Sequence, residues 1–298
     1  MRREAIVAFA LLLSASAEGE TLRDKLEAAS VPVAKFAAGE LSRKITSYAV
    51  SNGDPFLIAY YEDHGSGSLQ GPLHLLRYSR KTEELRRMDV KRDVAGAATN
   101  IRERGDYIFV DTHYGPSAGV LLVFDAGLSV EAELGGWLLG TMGSDYAIIE
   151  LSEMHFQPVE PLRIEAYDLK NRRSLRIYPY EGDRFRKEYS ELLGKYLSMD
   201  WCRIHNSSCK PDVFNTWPPT PLTISESARV FGFQTEFHSD GFGDAASAYV
   251  RSRKVVYVFR ENQGIWQHRE FDPAELPGRF GVESIEELVR RKPLAAFQ

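Results

Sequence analysis

Residues 99–134 read TNIRERGDYIFVDTHYGPSAGVLLVFDAGLSVEAEL. Two hydrophobic runs, Tyr107 to Asp111 and Val120 to Phe124, are rich in β-branched and aromatic residues. Thr99 to Glu103 and Val130 to Leu134 flank them, and Arg104-Gly105 and Ala126-Gly127 punctuate the joins. This composition predicts four strands joined as a meander. The apolar run that closes on an aromatic recurs as Leu75 to Tyr78, Leu121 to Phe124, Ile164 to Tyr167 and Val256 to Phe259. The closing aromatics are spaced by 46, 43 and 92 residues, the last being twice 46. A period in this range marks stacked supersecondary units.

Working outward, the first copy predicts strands at Ile45 to Val50, Phe56 to Tyr61, a third ending at Tyr78, and Leu85 to Met88. The third copy predicts Gly136 to Gly140, Tyr146 to Leu151, Arg163 to Tyr167 and Ser174 to Tyr178. The last predicts Leu222 to Ile224, Arg229 to Phe237, Lys254 to Phe259 and Ile265 to Glu270. Four meandering strands per unit resemble the blade of a β-propeller, over about two thirds of the chain, without the signature of a named family. The fold class expected is all-β, a β-propeller-like meander of four or five four-stranded blades.

The period breaks between Pro179 and Pro221. There Phe185, Tyr189, Leu192, Leu193 and Tyr196 share one helical face, which predicts a helical insertion, with a degenerate fifth blade as the alternative. Short helices are expected at both ends, from the capping-box spacings Thr21/Asp24 and Ser284/Glu287. The expected organisation is an N-terminal helical segment over 18–43, three blades over 44–178, the insertion over 179–221, a further blade over 222–272 and a helical tail over 273–298.

Residues 1–17 have the form of a secretory leader: Arg2 and Arg3, an apolar run from Ala5 to Leu13, then Ala15-Ser16-Ala17. The run is shorter than the about 20 residues that span a bilayer. The expectation is a bacterial periplasmic or secreted protein that starts at about Glu18, with no membrane insertion after cleavage. Charges of both signs are interspersed around a net of −5, which argues against a nucleic-acid partner. Cys202 and Cys209 are the only cysteines. In an exported chain they are expected to form a local disulfide, contributing on the order of 2–3 kcal/mol.

Connections between second and third strands are expected to be long, near Gly65 to Leu73, Tyr114 to Gly119, Phe156 to Leu162 and Ser239 to Ser252. Alternate connections of a meander share one end, so these predict a functional face. The second strands end in Glu62-Asp63-His64, Asp111-Thr112-His113, Glu153-Met154-His155 and Glu236-Phe237-His238. An acid two residues before a His lies on the same side of a strand. His64, His113, His155 and His238 are therefore candidate ligands for a divalent metal, with Glu62, Asp111, Glu153 and Glu236 behind them. Solvated strand ends account for the same pattern, and the register drifts. The His falls at +10, +7 and +10 from Asp54, Asp106 and Asp145.

Tyr61, Tyr114, Phe156 and Phe242 join these His and Asp111 as candidate ligand-binding residues, able to stack on a bound group. Gly115 to Gly119 matches the G-x-S-x-G elbow, but a strand is expected after it where that elbow needs a helix. The reading that follows is a non-enzymatic binding protein that engages a ligand or protein partner on the long-loop face. The alternatives are a metal-dependent hydrolase or lyase on that face, and an envelope scaffold docking through the 179–221 insertion.

Overall fold

The computed structural model describes residues 20–63, 72–90, 97–113, 119–151, 163–188, 191, 214–215, 222–238 and 253–298; Thr46, His113, Phe214, Asn215 and His238 are described as backbone only. The described strands form four antiparallel sheets. The chain divides into two compact units, Met1–Gly135 and Gly136–Gln298.

In the first unit, β1 (Ile45–Ser51), β2 (Phe56–Glu62), β3 (Leu73–Tyr78) and β4 (Leu85–Val90) pair in sequence order. So do β5 (Ala97–Arg104), β6 (Tyr107–His113), β7 (Gly119–Asp125) and β8 (Val130–Gly135). Strand β2 shows why its sequence reads as one apolar run. Leu57, Ala59 and Tyr61 pack with Ile108, Val110, Leu122 and Phe124 of the second sheet. Phe56, Ile58 and Tyr60 point the other way, onto Leu22, Leu26, Val31 and Phe36 of the N-terminal segment. A strand covered on both faces needs no polar alternation. The last strand of this sheet is less enclosed, and Arg86 and Arg87 lie along it.

The N-terminal cover is built on α1 (Leu22–Ala28) and the one-turn α2 (Ala38–Leu41). The Thr21 hydroxyl accepts from the Asp24 amide at 3.4 Å, and the Asp24 carboxylate accepts from the Thr21 amide at 2.8 Å. This reciprocal cap satisfies donors that the first helical turn leaves over. It sets Leu22 and Leu26, both fully buried, against the first sheet.

In the second unit, β9 (Trp137–Met142), β10 (Tyr146–Leu151), β11 (Arg163–Asp168) and β12 (Arg173–Tyr178) form one meander. The other sheet is ordered β13-β15-β16-β17, from Phe214–Asn215, Val230–His238, Arg253–Asn262 and Ile265–Phe271. A short β14 (Thr223–Ser225) also pairs with β15. β13 meets the end of β15 at Phe237 and His238, and β14 meets its start at Val230 to Gly232. The first-strand position of this sheet is thus shared by two short pieces. One of them falls inside the 179–221 interval, so that interval supplies part of the last sheet. Its helical reading holds at 184–188 and 191, preceded by non-helical residues at 179–183; residues 189–190, 192–213 and 216–221 lie outside the described residues.

The core between these two sheets is aromatic. Tyr178, Phe231, Phe233, Tyr257 and Phe259 are buried together with Phe185 from the insertion. Phe231 stacks on Phe259 at 4.9 Å, and Tyr178 meets Phe233 edge-on at 5.5 Å, geometries that add to area burial. On the far side of the last sheet lie α3 (Glu275–Phe280) and α4 (Ile285–Arg291). Gly232 is the contact point. A Cβ there would sit 2.7 Å from Ile285 Cδ1 and 3.0 Å from the Tyr257 carbonyl oxygen. The Ser284 hydroxyl caps α4 by accepting from the Glu287 amide, while the Glu287 carboxylate accepts from the Glu283 amide.

Candidate functional site

The connections within each sheet are unequal. The β2–β3, β10–β11 and β15–β16 connections cover 63–72, 152–162 and 239–252, against two residues at β5–β6 and β16–β17. The second sheet departs from the expectation. Its β6–β7 connection, 114–118, is shorter than the β3–β4 connection 79–84. Strands β6 and β7 extend to His113 and from Gly119, which consumes residues that sequence assigns to the loop.

At the long-connection end of the first sheet, an imidazole and two carboxylates form a line across adjacent strands. His74 in β3 lies opposite Tyr60 in β2 and Asp89 in β4. Its Nδ1 is 2.7 Å from Asp89 Oδ1, and its Nε2 is 3.1 Å from Glu62 Oε1. The imidazole is only 8% exposed. Glu62 also accepts from Arg43 at 2.5 Å. The Tyr60 ring stacks on His74 at 4.9 Å, and burial pushes its hydroxyl up to about 12. Both ring nitrogens of His74 are thereby occupied by carboxylates. The arrangement is a fixed acid–imidazole–acid bracket, which positions charge at the strand ends and holds the sheet edge in place.

Sequence inspection singles out His64, His113, His155 and His238 by an acid two positions earlier, and misses His74. Its acids are cross-strand neighbours, a relation that appears only once register is assigned. The other predicted residues divide into four groups. Tyr61 is 1% exposed in the core between the first two sheets, so its ring packs inward and offers no stacking face. Asp111 is 6% exposed and accepts from Asn100 at 3.2 Å, with Arg102 at 3.8 Å. The backbones of His113 and His238 are placed, His113 opposite Ala97 and Gly119, and His238 opposite Phe214. His64, Tyr114, Glu153, His155, Phe156 and Phe242 lie outside the described residues, as do Cys202, Cys209 and the 1–17 leader. Among the described residues no cluster of His, Cys, Asp or Glu has metal-holding geometry. Gly119 opens strand β7, so the G-x-S-x-G segment runs into a strand.

The second unit holds an acid pair, Asp183 buried and Glu270 partly buried. Tyr257 donates to Asp183 at 2.7 Å, and Tyr180 donates to Glu270 at 2.5 Å. The same carboxylates receive the start of the helical turn 184–188. Glu270 accepts from the Arg184 amide at 3.1 Å and Asp183 from the Arg186 amide at 3.0 Å. Burial, with Asp183 beside it, holds the Glu270 carboxyl above its ordinary range, against the hydrogen bonds from Tyr180 and Arg184 that favour ionisation. Burial also lifts both tyrosines. His268 stacks on Tyr180 at 3.6 Å and is pushed down by burial and by Arg269. This network ties the first residues of the insertion into the last sheet.

At the short-turn ends of the same unit is an open cleft of about 620 Å³. Arg229, in a left-handed turn conformation with φ 53°, bridges Asp145 at 2.7 Å and Glu261. Burial disfavours its charge, but these two bonds outweigh that and hold the guanidinium above its usual range. Asp168 is held low despite its burial, because it accepts from Asn171 and from the Lys170 and Asn171 amides.

No protein-family model matches the chain, and no curated protein matches it.

Proposed function

We propose that the four sheets are blades of a propeller-like repeat, and that the protein binds a ligand or protein partner at the long-connection ends of its strands. The observation that carries this reading is the bracket of Glu62, His74 and Asp89. It places a buried imidazole, engaged by a carboxylate on each side, at the root of a ten-residue connection, 63–72. Such rigid polar footings support variable loops, and binding residues concentrate on loops held by a rigid scaffold. The leader-like 1–17 segment supports export as the setting.

The reading is non-enzymatic. Of the acids that could orient metal ligands, Glu62 is already committed to His74 and Arg43, and Asp111 to Asn100.

Two variants test the proposal. One replaces residues 64–71 by an Asn-Gly turn; the other changes the sequence of the short turn Arg80 to Glu83. Both are screened with the intact protein against one ligand library by thermal shift. At least one ligand of the intact protein should be lost from the first variant alone. Retention of every ligand by both variants would refute the location. About one equivalent of divalent metal in purified protein, removed by a chelator together with a hydrolytic activity, would replace binding by catalysis.

A further inference from the structure

The cleft of the second unit lies at the opposite strand ends from the long connections of its own sheets, and the reading above does not use it. Its wall carries three cations, Lys170, Arg229 and Arg260, and three carboxylates, Asp145, Asp168 and Glu261. The carboxylates are all engaged. Asp145 and Glu261 hold Arg229, Glu261 also accepts from the Gly264 amide at 2.5 Å, and Asp168 accepts from the Lys170 and Asn171 amides and the Asn171 side chain. Arg229 is consumed in the same network.

Two charges remain. Among the described residues, the side chains of Arg260 and Lys170 have no ion pair or hydrogen bond. The Arg260 Nε is buried and unpartnered, so the stem is held and the terminal nitrogens are the part a ligand reaches. Apolar surface lies beside them. Leu294, 41% exposed, lines the cleft, as does Tyr146, which is steadied edge-on by Trp266 at 5.5 Å.

We propose that this cleft binds a small monocarboxylate, its carboxylate on Arg260 and Lys170 and its apolar part against Leu294 and Tyr146. Three features select this class. A guanidinium fork matches a carboxylate. The volume falls within the range of small-molecule sites. The three fixed carboxylates leave the wall formally neutral, so a single negative charge is accommodated while a polyanion such as pyrophosphate is repelled.

Calorimetric titration of the full chain with hexanoate and benzoate, against hexanamide, benzamide and pyrophosphate, tests the proposal. At least one acid should bind about tenfold more tightly than its amide, a difference of about 1.4 kcal/mol. Pyrophosphate should bind more weakly than that acid. R260Q should remove the preference, and the exposed-site variant K170Q, which leaves the buried stem untouched, should reduce it. Acids and amides binding alike, an acid preference that survives both substitutions, or a preference for pyrophosphate would each overturn the assignment. Loss of the long connection 64–71 should leave this binding intact, so the two sites stand or fall separately.

Discussion

At the scale of single residues, cross-strand neighbours matter more than sequence neighbours. His74 holds Glu62, whose side chain is 21% exposed, and Asp89, whose side chain is 64% exposed. The exposed partner contributes little, because water competes for it. H74Q should therefore cost about 1–2 kcal/mol, mostly through Glu62. Chemical denaturation reads this, and an unchanged midpoint would count against the bracket. Gly232 makes the opposite point. Its missing Cβ admits Ile285 and the Tyr257 carbonyl, so G232A should destabilise by about 1–3 kcal/mol through overpacking. The backbone oxygen cannot rotate away, so I285V should restore only part of the loss. Neither residue announces its role in sequence. A glycine in an apolar run signals close approach without naming the neighbour, and a His without a nearby acid signals nothing until its strand is paired.

At the scale of elements, the sequence is informative wherever local rules act. Strand limits follow from β-branched and aromatic runs stopped by Gly, Asn and Asp, and most ends agree within two residues. Thr21 and Ser284 both cap helices because a side-chain oxygen three residues before an acid can do so locally. The split first strand of the last sheet is not legible. β13 has two residues and β14 has three, too few for any period, and both exist only because β15 offers them an edge.

The anchor of the insertion is equally tertiary, since Asp183 meets Glu270 and Tyr257 from distant segments. It carries a pH prediction. Glu270 has a folded-state pKa raised above its ordinary value, so its contribution is complete below about pH 4.5 and is lost as pH rises through the raised value. His268 acts in the reverse sense, its lowered value favouring the folded state as pH rises. E270Q isolates the first effect by keeping an acceptor for the Arg184 amide without the ionisation. The unfolding free energy of the wild type relative to E270Q should fall between pH 4 and 8; a flat difference would contradict the burial argument.

At the scale of the whole molecule, the repeat was readable because each unit carries its own strand signals at a nearly constant spacing. Within the first unit the terminal helices cover one sheet face, and the same holds for the last sheet of the second unit. The site was less readable. The aromatic Tyr61 turned inward because a strand covered on both faces buries every position, and the acid-x-His pattern pointed along the strand while the observed bracket runs across it. What survives from sequence is the inequality of the connections in three of the four sheets, and on it rests the proposal that the long-connection ends are the working surface.

Site-specific photocrosslinking tests that most directly. A benzophenone amino acid is placed at Asp63 and Arg163, at long-connection ends, and at Gly53 and Gly127, at short turns, and adducts formed in the producing cell are read as mass added to the chain. The account predicts adducts concentrated at Asp63 and Arg163. Equal yields at all four positions, or a preference for Gly53 and Gly127, would contradict it.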